Sequence, residues 1–457
     1  MPEKIHLIAI GGSAMHNLAL SLHHKGLIVT GSDDEINEPS KSRLAKYNLL
    51  PEKIGWYPEK ITSDINKVIL GMHAREDNPE LIRAKELGIP VFSYPEFLYE
   101  VTKEKKRIVI GGSHGKTSIT AMILHVFKKC GIDTDYMVGA QLEGFDTMVK
   151  LTNEAPIAVF EGDEYLASPI DRRSKFHLYH PNIAVISGIA WDHINVFPTF
   201  EIYKKQFGVF IDLIEENGQI IYCENDENVV EMVNNHGNNN NVQKIPYSVP
   251  PHEITNGITN LKTASGNVPL EIFGEHNLMN LMAAKEVCNL VGINDKAFYD
   301  AIGSFKGAAK RLEPVYRSAN FSFFKDFAHS PSKLKATTQS VKKQFPDKKL
   351  IACMELHTFS SLNENFLNEY NGSMKEADEA IVYFNPKTIA HKKLKAISID
   401  DVKKAFSDPR IIVFTESDEL VKYLKMENWN NKVLLMMSSG NFDGIDFTAL
   451  SQELNLS

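Results

Sequence analysis

Cysteine is scarce in this sequence, a surplus of positive charge is missing, and no hydrophobic run is long. The four cysteines, Cys130, Cys223, Cys288 and Cys353, sit singly in apolar surroundings. Such spacing offers neither a disulfide framework nor paired metal thiolates, and it fits a reducing compartment. The formal net charge is -8, which argues against a nucleic-acid binder, whose phosphate contacts call for a basic excess. Any anionic ligand must therefore be met by local clusters of cations. The first apolar run, Ile5 to Ile10, is too short for a secretory core or a membrane span, and no other stretch is long enough to cross a bilayer. A soluble, cytoplasmic protein without membrane insertion is expected.

The chain has 457 residues, of which 43% are apolar and 24% charged. That is ordinary globular usage, and at roughly 150 residues per domain it suggests three domains. Strand signals alternate with helical periodicity from the start: Ile5 to Ile10, a helix over Met15 to His24, then Leu27 to Thr30 and Lys67 to Leu70. The charged run Lys103 to Arg107 reads as a linker. The pattern restarts with Ile108 to Ile110, a glycine-rich turn and a helix from about Lys116 to Lys129, followed by strands at Ile157 to Phe160, Ile183 to Ile186 and Gln219 to Tyr222. Asn234 to Asn241 reads as a polar loop. After Arg311 come strands near Phe321 to Phe324, Lys349 to Met354, Glu379 to Tyr383, Ile411 to Phe414 and Lys432 to Met437. The expected fold class is α/β with three domains, 1–104, 105–312 and 313–457: a Rossmann-like N-terminal domain, a P-loop ATPase-like central domain and a Rossmann-like C-terminal domain.

The strongest chemical signal is Gly112-Ser113-His114-Gly115-Lys116-Thr117, between a strand and a helix. Glycines let backbone N–H groups close on phosphate oxygens, and the helix N-terminus adds partial positive charge. Lys116 can reach the outer phosphates, and the Thr117 hydroxyl can ligate Mg²⁺. Ile110 stands where a strict Walker A loop has glycine, so this is a shorter variant. Glu161, at the end of the next strand, is placed to hold the metal, although an acidic loop such as Glu161 to Tyr165 also reads as solvated surface. Asp192-His193 could complete a metal site or supply a base, and a lone histidine is as commonly structural. Asp171 to Lys175 brings three cations, suited to a diphosphate or carboxylates or to a solvated face. Ala9 to Ala14, with Gly11 and Gly12 and with Asp33 further on, is a degraded dinucleotide fingerprint that favours a nucleotide-sugar over NAD.

Together these residues resemble the Mur ligases of peptidoglycan synthesis, and the likeness spans nearly the whole chain. Gly274-Glu275-His276-Asn277-Leu278-Met279-Asn280-Leu281-Met282-Ala283-Ala284 fits the family pattern G-x-H-N-x-x-N-x-x-A-A, and Phe305 to Glu313 matches the hinge into the third domain. The resemblance assigns ATP to Gly112, Ser113, His114, Gly115, Lys116, Thr117 and Ser118, to His276, Asn277 and Asn280, and to Arg311 and Asp326. It places Mg²⁺ on Thr117, Glu161 and His193, and makes Lys116, His193 and Arg311 the catalytic residues. The UDP-sugar falls to Gly11, Gly12, Ser13, Met15, Ser32, Asp33 and Arg173.

The implied reaction is an ATP-dependent amide ligation through an acyl phosphate, joining UDP-N-acetylmuramate to an amine. Tyr165 to Tyr179 and Met437 to Ile445 are similar to the family branch that takes the tripeptide L-Ala-γ-D-Glu-meso-diaminopimelate in peptidoglycan recycling, with Lys175, His357, Ser439, Asn441 and Phe442 at the peptide. The branch that adds single L-alanine is the alternative, and a nicotinamide-dependent oxidoreductase or a non-ligating P-loop NTPase are remote ones. Departures stand at Gly188 and Ala190, where the family usually has asparagine and glutamate, and at Lys325, where it has aspartate. Glu355 to Ser361 matches neither branch closely.

Overall fold

The computed structural model describes residues 2–72, 74–255, 257–308 and 311–455. Ala309 and Lys310, inside the hinge segment, lie outside the described residues. By packing, the chain forms two compact units. The first contains residues 1–189, 200–247 and 283–293, and the second 190–199, 248–282 and 294–457.

The first unit holds two sheets. The N-terminal one is parallel, in the order Ile28–Ser32, Lys4–Ile8, Lys67–Leu70, Val91–Ser93. Its strands read as short unbroken apolar runs because helices cover them, and Ile5, Leu7, Ile8, Val68 and Ile69 are fully buried. The helix Ser13–His24 starts directly after the turn that follows the first strand. The second sheet has seven strands: Gln243–Tyr247, Gln219–Cys223, Ile183–Ile186, Lys106–Gly111, Ile157–Glu161, Thr134–Met137 and Val149–Lys150. Only the last pairing is antiparallel. Lys106–Gly111 is the central strand, so the turn after it and the end of its neighbour Ile157–Glu161 open at the same sheet edge, where open α/β sheets bind ligands.

The second unit carries a six-stranded sheet in the order Glu313–Arg317, Phe321–Asp326, Lys432–Met437, Lys349–Leu356, Glu379–Phe384, Ile412–Phe414, parallel except for its first strand. Apolar clusters cover both faces, one built around Phe324, Met354 and Leu435, the other around Phe323, Cys353 and Leu434. A small antiparallel sheet, His252–Thr255, Ile258–Thr263 and Gly266–Leu270, has no counterpart among the strands expected from sequence. Its residues are mostly polar or only partly buried, so no apolar run marked them.

The run 103–107 is a linker only in part: Lys103 to Lys105 form the turn after the helix Tyr94–Thr102, whereas Lys106 and Arg107 begin the central strand, and Arg107 is buried, donating to the carbonyls of Tyr179 and His180 and to Glu215. A buried guanidinium persists because its donors are satisfied. The asparagine run is a polar loop as expected, except that Asn234 and Asn235 end the helix Glu227–Asn235, and Asn240 anchors it by donating to the carbonyls of Asp212 and Ile214.

Candidate active site

The turn between Lys106–Gly111 and the helix Lys116–Cys130 has the backbone that phosphate binding requires. Gly112 lies at φ +132° and Gly115 at +80°, conformations that cost an L side chain strain and turn successive N–H groups to one side. A Cβ on Gly112 would collide with the Ser187 hydroxyl and stand 3.0 Å from the Ser187 amide. The turn is stitched to the neighbouring strand end, since the Ser113 amide donates to the Gly188 carbonyl at 2.9 Å and the Ser187 hydroxyl donates to the His114 carbonyl.

Behind the turn lies a buried polar chain. The Lys116 ammonium donates to Glu164 Oε2 at 2.6 Å and to the Gly112 carbonyl at 2.5 Å. The Tyr203 hydroxyl donates to Glu164 Oε1 at 2.8 Å and meets the Ser113 hydroxyl at 2.8 Å. Burial works to deprotonate Lys116, but Glu164, Asp163 and Glu161 outweigh it and hold the ammonium above its ordinary value. Lys116 is therefore a permanent cation. The Thr117 hydroxyl donates to Glu161 Oε1 at 2.8 Å, and Glu161 Oε2 accepts the Gly139 amide at 2.8 Å. Sequence reasoning gave Glu164, Tyr203 and Ser187 no role. The only signal for Glu164 was its place in the acidic loop, and Tyr203 comes from a helix distant in sequence.

Lys116 and Glu161 also line a cavity of about 470 Å³, together with Gly12, Ser13, Met15, Asp163 and Lys175. The fingerprint turn and Lys116, the first residue of the helix after the glycine-rich turn, thus face one chamber. Ala9, at a fingerprint glycine position, takes φ +68°, the left-handed conformation that glycine favours. Gly11, Asp33 and Ser32 stand behind the wall. Asp33 Oδ2 accepts the Gly11 amide at 2.6 Å, and burial pushes the Asp33 carboxyl up to about 6. Arg173 is not a lining residue: it is more than half exposed and clasps Glu96 and Asp171. Lys175 pairs with Asp163 at 2.7 Å.

The second unit holds the remaining candidates. His276 Nδ1 is 3.0 Å from the Ser340 hydroxyl, and buried Asn277 donates to the Phe273 carbonyl. Asn280 is buried on the same helix. The Arg311 guanidinium lies 4.7 Å from the centre of the Phe327 ring, and it shares a small cavity with Asn277 and Phe273. Asp326 accepts the amides of Leu312 and Ala328, each at 2.7 Å; burial raises its carboxyl against the pull of Arg311 and these amides. The His193 amide donates to Asp192 Oδ1, and Asp192 lies 3.8 Å from Lys333. Among the described residues, no three of His, Cys, Asp and Glu gather as metal ligands. At the proposed peptide end, Asn441 accepts the Gly444 amide, Phe442 is fully buried at φ +51°, and the Ser439 hydroxyl is buried without a hydrogen-bond partner.

His329, in the loop after Asp326, gives a stability test. Its ring is held neutral, its pKa lowered to about 3 by burial and by the Lys333 cation, with Nδ1 2.7 Å from the Phe327 carbonyl. A folded value below the ordinary 6.5 means that the unfolded chain binds the proton first, so stability is full above about pH 6.5 and falls as the pH drops towards 3. His329→Gln removes this titration. Urea midpoints measured at pH 7.5 and pH 5 should therefore fall less in the variant than in the parent protein.

Three family models match in series: the Mur ligase catalytic domain over residues 4–106, the Mur ligase middle domain over 110–288, and the Mur ligase glutamate ligase domain over 310–440. A UDP-N-acetylmuramate–L-alanine ligase of Sulfurihydrogenibium sp. is 32% identical over 372 residues, covering 80% of this chain and 79% of its own. This chain belongs to the Mur ligase family. Two solved Mur ligases share its fold over almost the entire length. The MurC alanine ligase of Thermotoga maritima is 20% identical with a TM-score of 0.69, covering 99% of this chain and 98% of its own. The murein peptide ligase Mpl of Psychrobacter arcticus is 22% identical with a TM-score of 0.65, covering 100% and 99%. The chain is accordingly an ATP-dependent ligase that forms a carbon–nitrogen bond. The three expected α/β domains are present: the first match lies in the first unit, the third in the second, and the middle one contributes residues to both.

Membership gives the departure at Gly188 a physical reason. A Cβ there would strike the His114 imidazole, 2.7 Å from Nε2. In this Mur ligase the ring of His114 fills the space that a side chain at 188 would need. Lys325, a further departure, pairs with Glu313 at 2.9 Å across two antiparallel strands. Among the described residues no helix is long and apolar enough to cross a membrane.

Proposed function

We propose that this Mur ligase activates the lactyl carboxylate of UDP-N-acetylmuramate with ATP and joins it to L-Ala-γ-D-Glu-meso-diaminopimelate, with domain boundaries at 104/105 and 312/313. The observation that carries the reading is the shared chamber: the fingerprint turn at Gly12-Ser13 and the ammonium of Lys116 line the same cavity. A sugar carboxylate and a terminal phosphate brought there meet beside one permanent cation. Residues Gly112 to Ser118 cradle the phosphates through backbone N–H groups. His276, Asn277, Asn280, Arg311 and Asp326 are the further nucleotide residues that the family resemblance implies.

Thr117 and Glu161 fit Mg²⁺, which takes one or two protein oxygens, fills its shell with water and phosphate oxygens, and would supply charge neutralisation on the phosphates. His193 is the third proposed ligand. The chain's own contribution is electrostatic: Lys116 and Arg311 offset the charge that develops as the phosphoryl group moves to the carboxylate, and no covalent protein nucleophile is needed.

The tripeptide as amine donor rests on the likeness of residues 165–179 and 437–445 to the recycling branch. L-alanine is the second reading, favoured by the curated relatives, which are alanine ligases. Mass spectrometry of products decides between them: with ATP and UDP-N-acetylmuramate, the tripeptide should give a product of summed mass less one water, and L-alanine should not. Efficient incorporation of alanine alone assigns the chain to the biosynthetic step.

A further inference from the structure

The chamber in the first unit contains a second ammonium besides that of Lys116. Lys175 lines it together with Glu161, Asp163 and the fingerprint turn. The loop that Lys175 ends fixes its position: the Lys175 amide donates to the Tyr165 carbonyl at 2.9 Å, the Ala167 amide to the Arg173 carbonyl at 2.8 Å, and Leu166 and Ser174 pair as an antiparallel bridge. Asp163 holds the ammonium in turn, with Oδ2 accepting it at 2.7 Å and Oδ1 accepting the Tyr165 amide at 3.2 Å.

The two ammonium groups differ in what they can offer a ligand. Each has three donors. Lys116 places two of them on Glu164 and the Gly112 carbonyl, and the Glu164 side chain is 1% exposed, so that pair cannot open without stranding a buried charge. The Lys175 ammonium is hydrogen-bonded to Asp163 alone among the described residues, and both partners reach solvent, with side chains 23% and 35% exposed. Lys175 can therefore keep its partner and still donate to an incoming oxygen. An anion entering a cavity that also presents Glu161 and Asp163 is repelled unless such a cation meets it. The same wall carries two phenols, Tyr94 and Tyr179, whose hydroxyls are buried without a hydrogen-bond partner. Burial raises both phenols above their ordinary value, and Tyr94, Asp163 and Glu161 add to the effect on Tyr179, so both stay neutral. Unpartnered hydroxyls in a cavity wall point to a ligand rich in oxygen.

We propose that Lys175, aimed by Asp163, holds the lactyl carboxylate of the sugar nucleotide and so sets the preference for a sugar that bears an acid. The proposal rests on the sugar-nucleotide reading above. The likeness of residues 165–179 to the recycling branch would give Lys175 to the peptide; its place in one cavity with Gly12, Ser13 and Lys116 favours the sugar's acid instead. With the carboxylate on Lys175 and the terminal phosphate on Lys116, each anion has its own cation.

Isothermal titration calorimetry on the full chain, with neither ATP nor peptide present, compares UDP-N-acetylmuramate with its lactyl carboxamide, which has the same shape and no charge. The parent protein should bind the acid about 10- to 100-fold more tightly than the amide, the worth of a hydrogen bond to a charged group. Lys175→Met and Lys175→Gln should each bring the acid down to the affinity of the amide while leaving the amide within a few-fold of the parent, which also shows that the variants are folded. Lys175→Arg, which keeps a cation, should retain most of the preference. A preference for the acid that survives in the methionine and glutamine variants overturns the proposal, as does an equal loss of acid and amide in a variant with the parent's urea midpoint, or a parent protein that binds both ligands alike. A parent protein that binds neither defeats the sugar-nucleotide reading itself, and the proposal with it.

Discussion

Replacing Lys116 by methionine is expected to cut ligation by at least about 10² to 10³, the usual loss on removing one preorganised electrostatic partner from a transition state. The structure adds a second consequence that the motif alone did not show. Lys116 neutralises a carboxylate that is 1% exposed on its side chain, Glu164. Removing one partner of such a pair leaves a charge uncompensated, a loss of about 3 to 5 kcal/mol where burial is complete and less here, because Lys116 keeps some solvent access. Lys116→Met alone should therefore be both inactive and less stable. The double variant Lys116→Met/Glu164→Gln should recover most of the urea midpoint, since Tyr203 can still hydrogen-bond the amide, and should remain inactive. Recovery of activity in the double variant would show that Lys116 acts only by neutralising Glu164.

Gly112→Ala is the second substitution with a large expected effect. A residue held at φ +132° is outside the regions an L side chain adopts, and its Cβ would occupy the place of the Ser187 hydroxyl. Backbone strain and overpacking each cost about 1 to 3 kcal/mol, so a loss of about 2 to 6 kcal/mol is expected, with ATP binding abolished because the loop must open. Differential scanning calorimetry and nucleotide titration read the two effects separately. A variant with parental stability and affinity would mean that the turn does not hold this conformation in solution. Gly26→Ala provides the contrast: φ is also positive there, at +85°, but nothing lies within 4 Å of the added Cβ, so only the conformational part of the cost remains.

What the sequence disclosed and what it hid separate along physical lines. Buried parallel strands are legible because they are short apolar runs bounded by turns. Lys67–Leu70 and Ile183–Ile186 begin and end at the residues read from the sequence, and Lys432–Met437 does likewise. The phosphate turn is legible because its conformation demands glycine at 112 and 115. The antiparallel sheet around Ile258–Thr263 was invisible because it buries only scattered residues, among them Leu261 and Leu270, too few to form an apolar run. Arg107 was misread because charge normally marks surface, and only tertiary carbonyls make its burial tolerable. The pairing of Thr117 with Glu161 follows from two adjacent strands ending together and could be anticipated. The chain from Lys116 through Glu164 and Tyr203 to Ser113 could not, because it joins a turn, a loop and a helix that no local pattern connects.

The path of one oxygen atom tests the central claim most directly. If the sugar's lactyl carboxylate takes the γ-phosphoryl group of ATP in the chamber beside Lys116, that carboxylate must lose an oxygen to phosphate when the amide forms. UDP-N-acetylmuramate labelled with ¹⁸O in the lactyl carboxylate should yield, on complete turnover with ATP and the amine donor, inorganic phosphate carrying one labelled oxygen and a product amide that keeps the other. Phosphate released without label, or label recovered in a nucleotide monophosphate, would contradict the account.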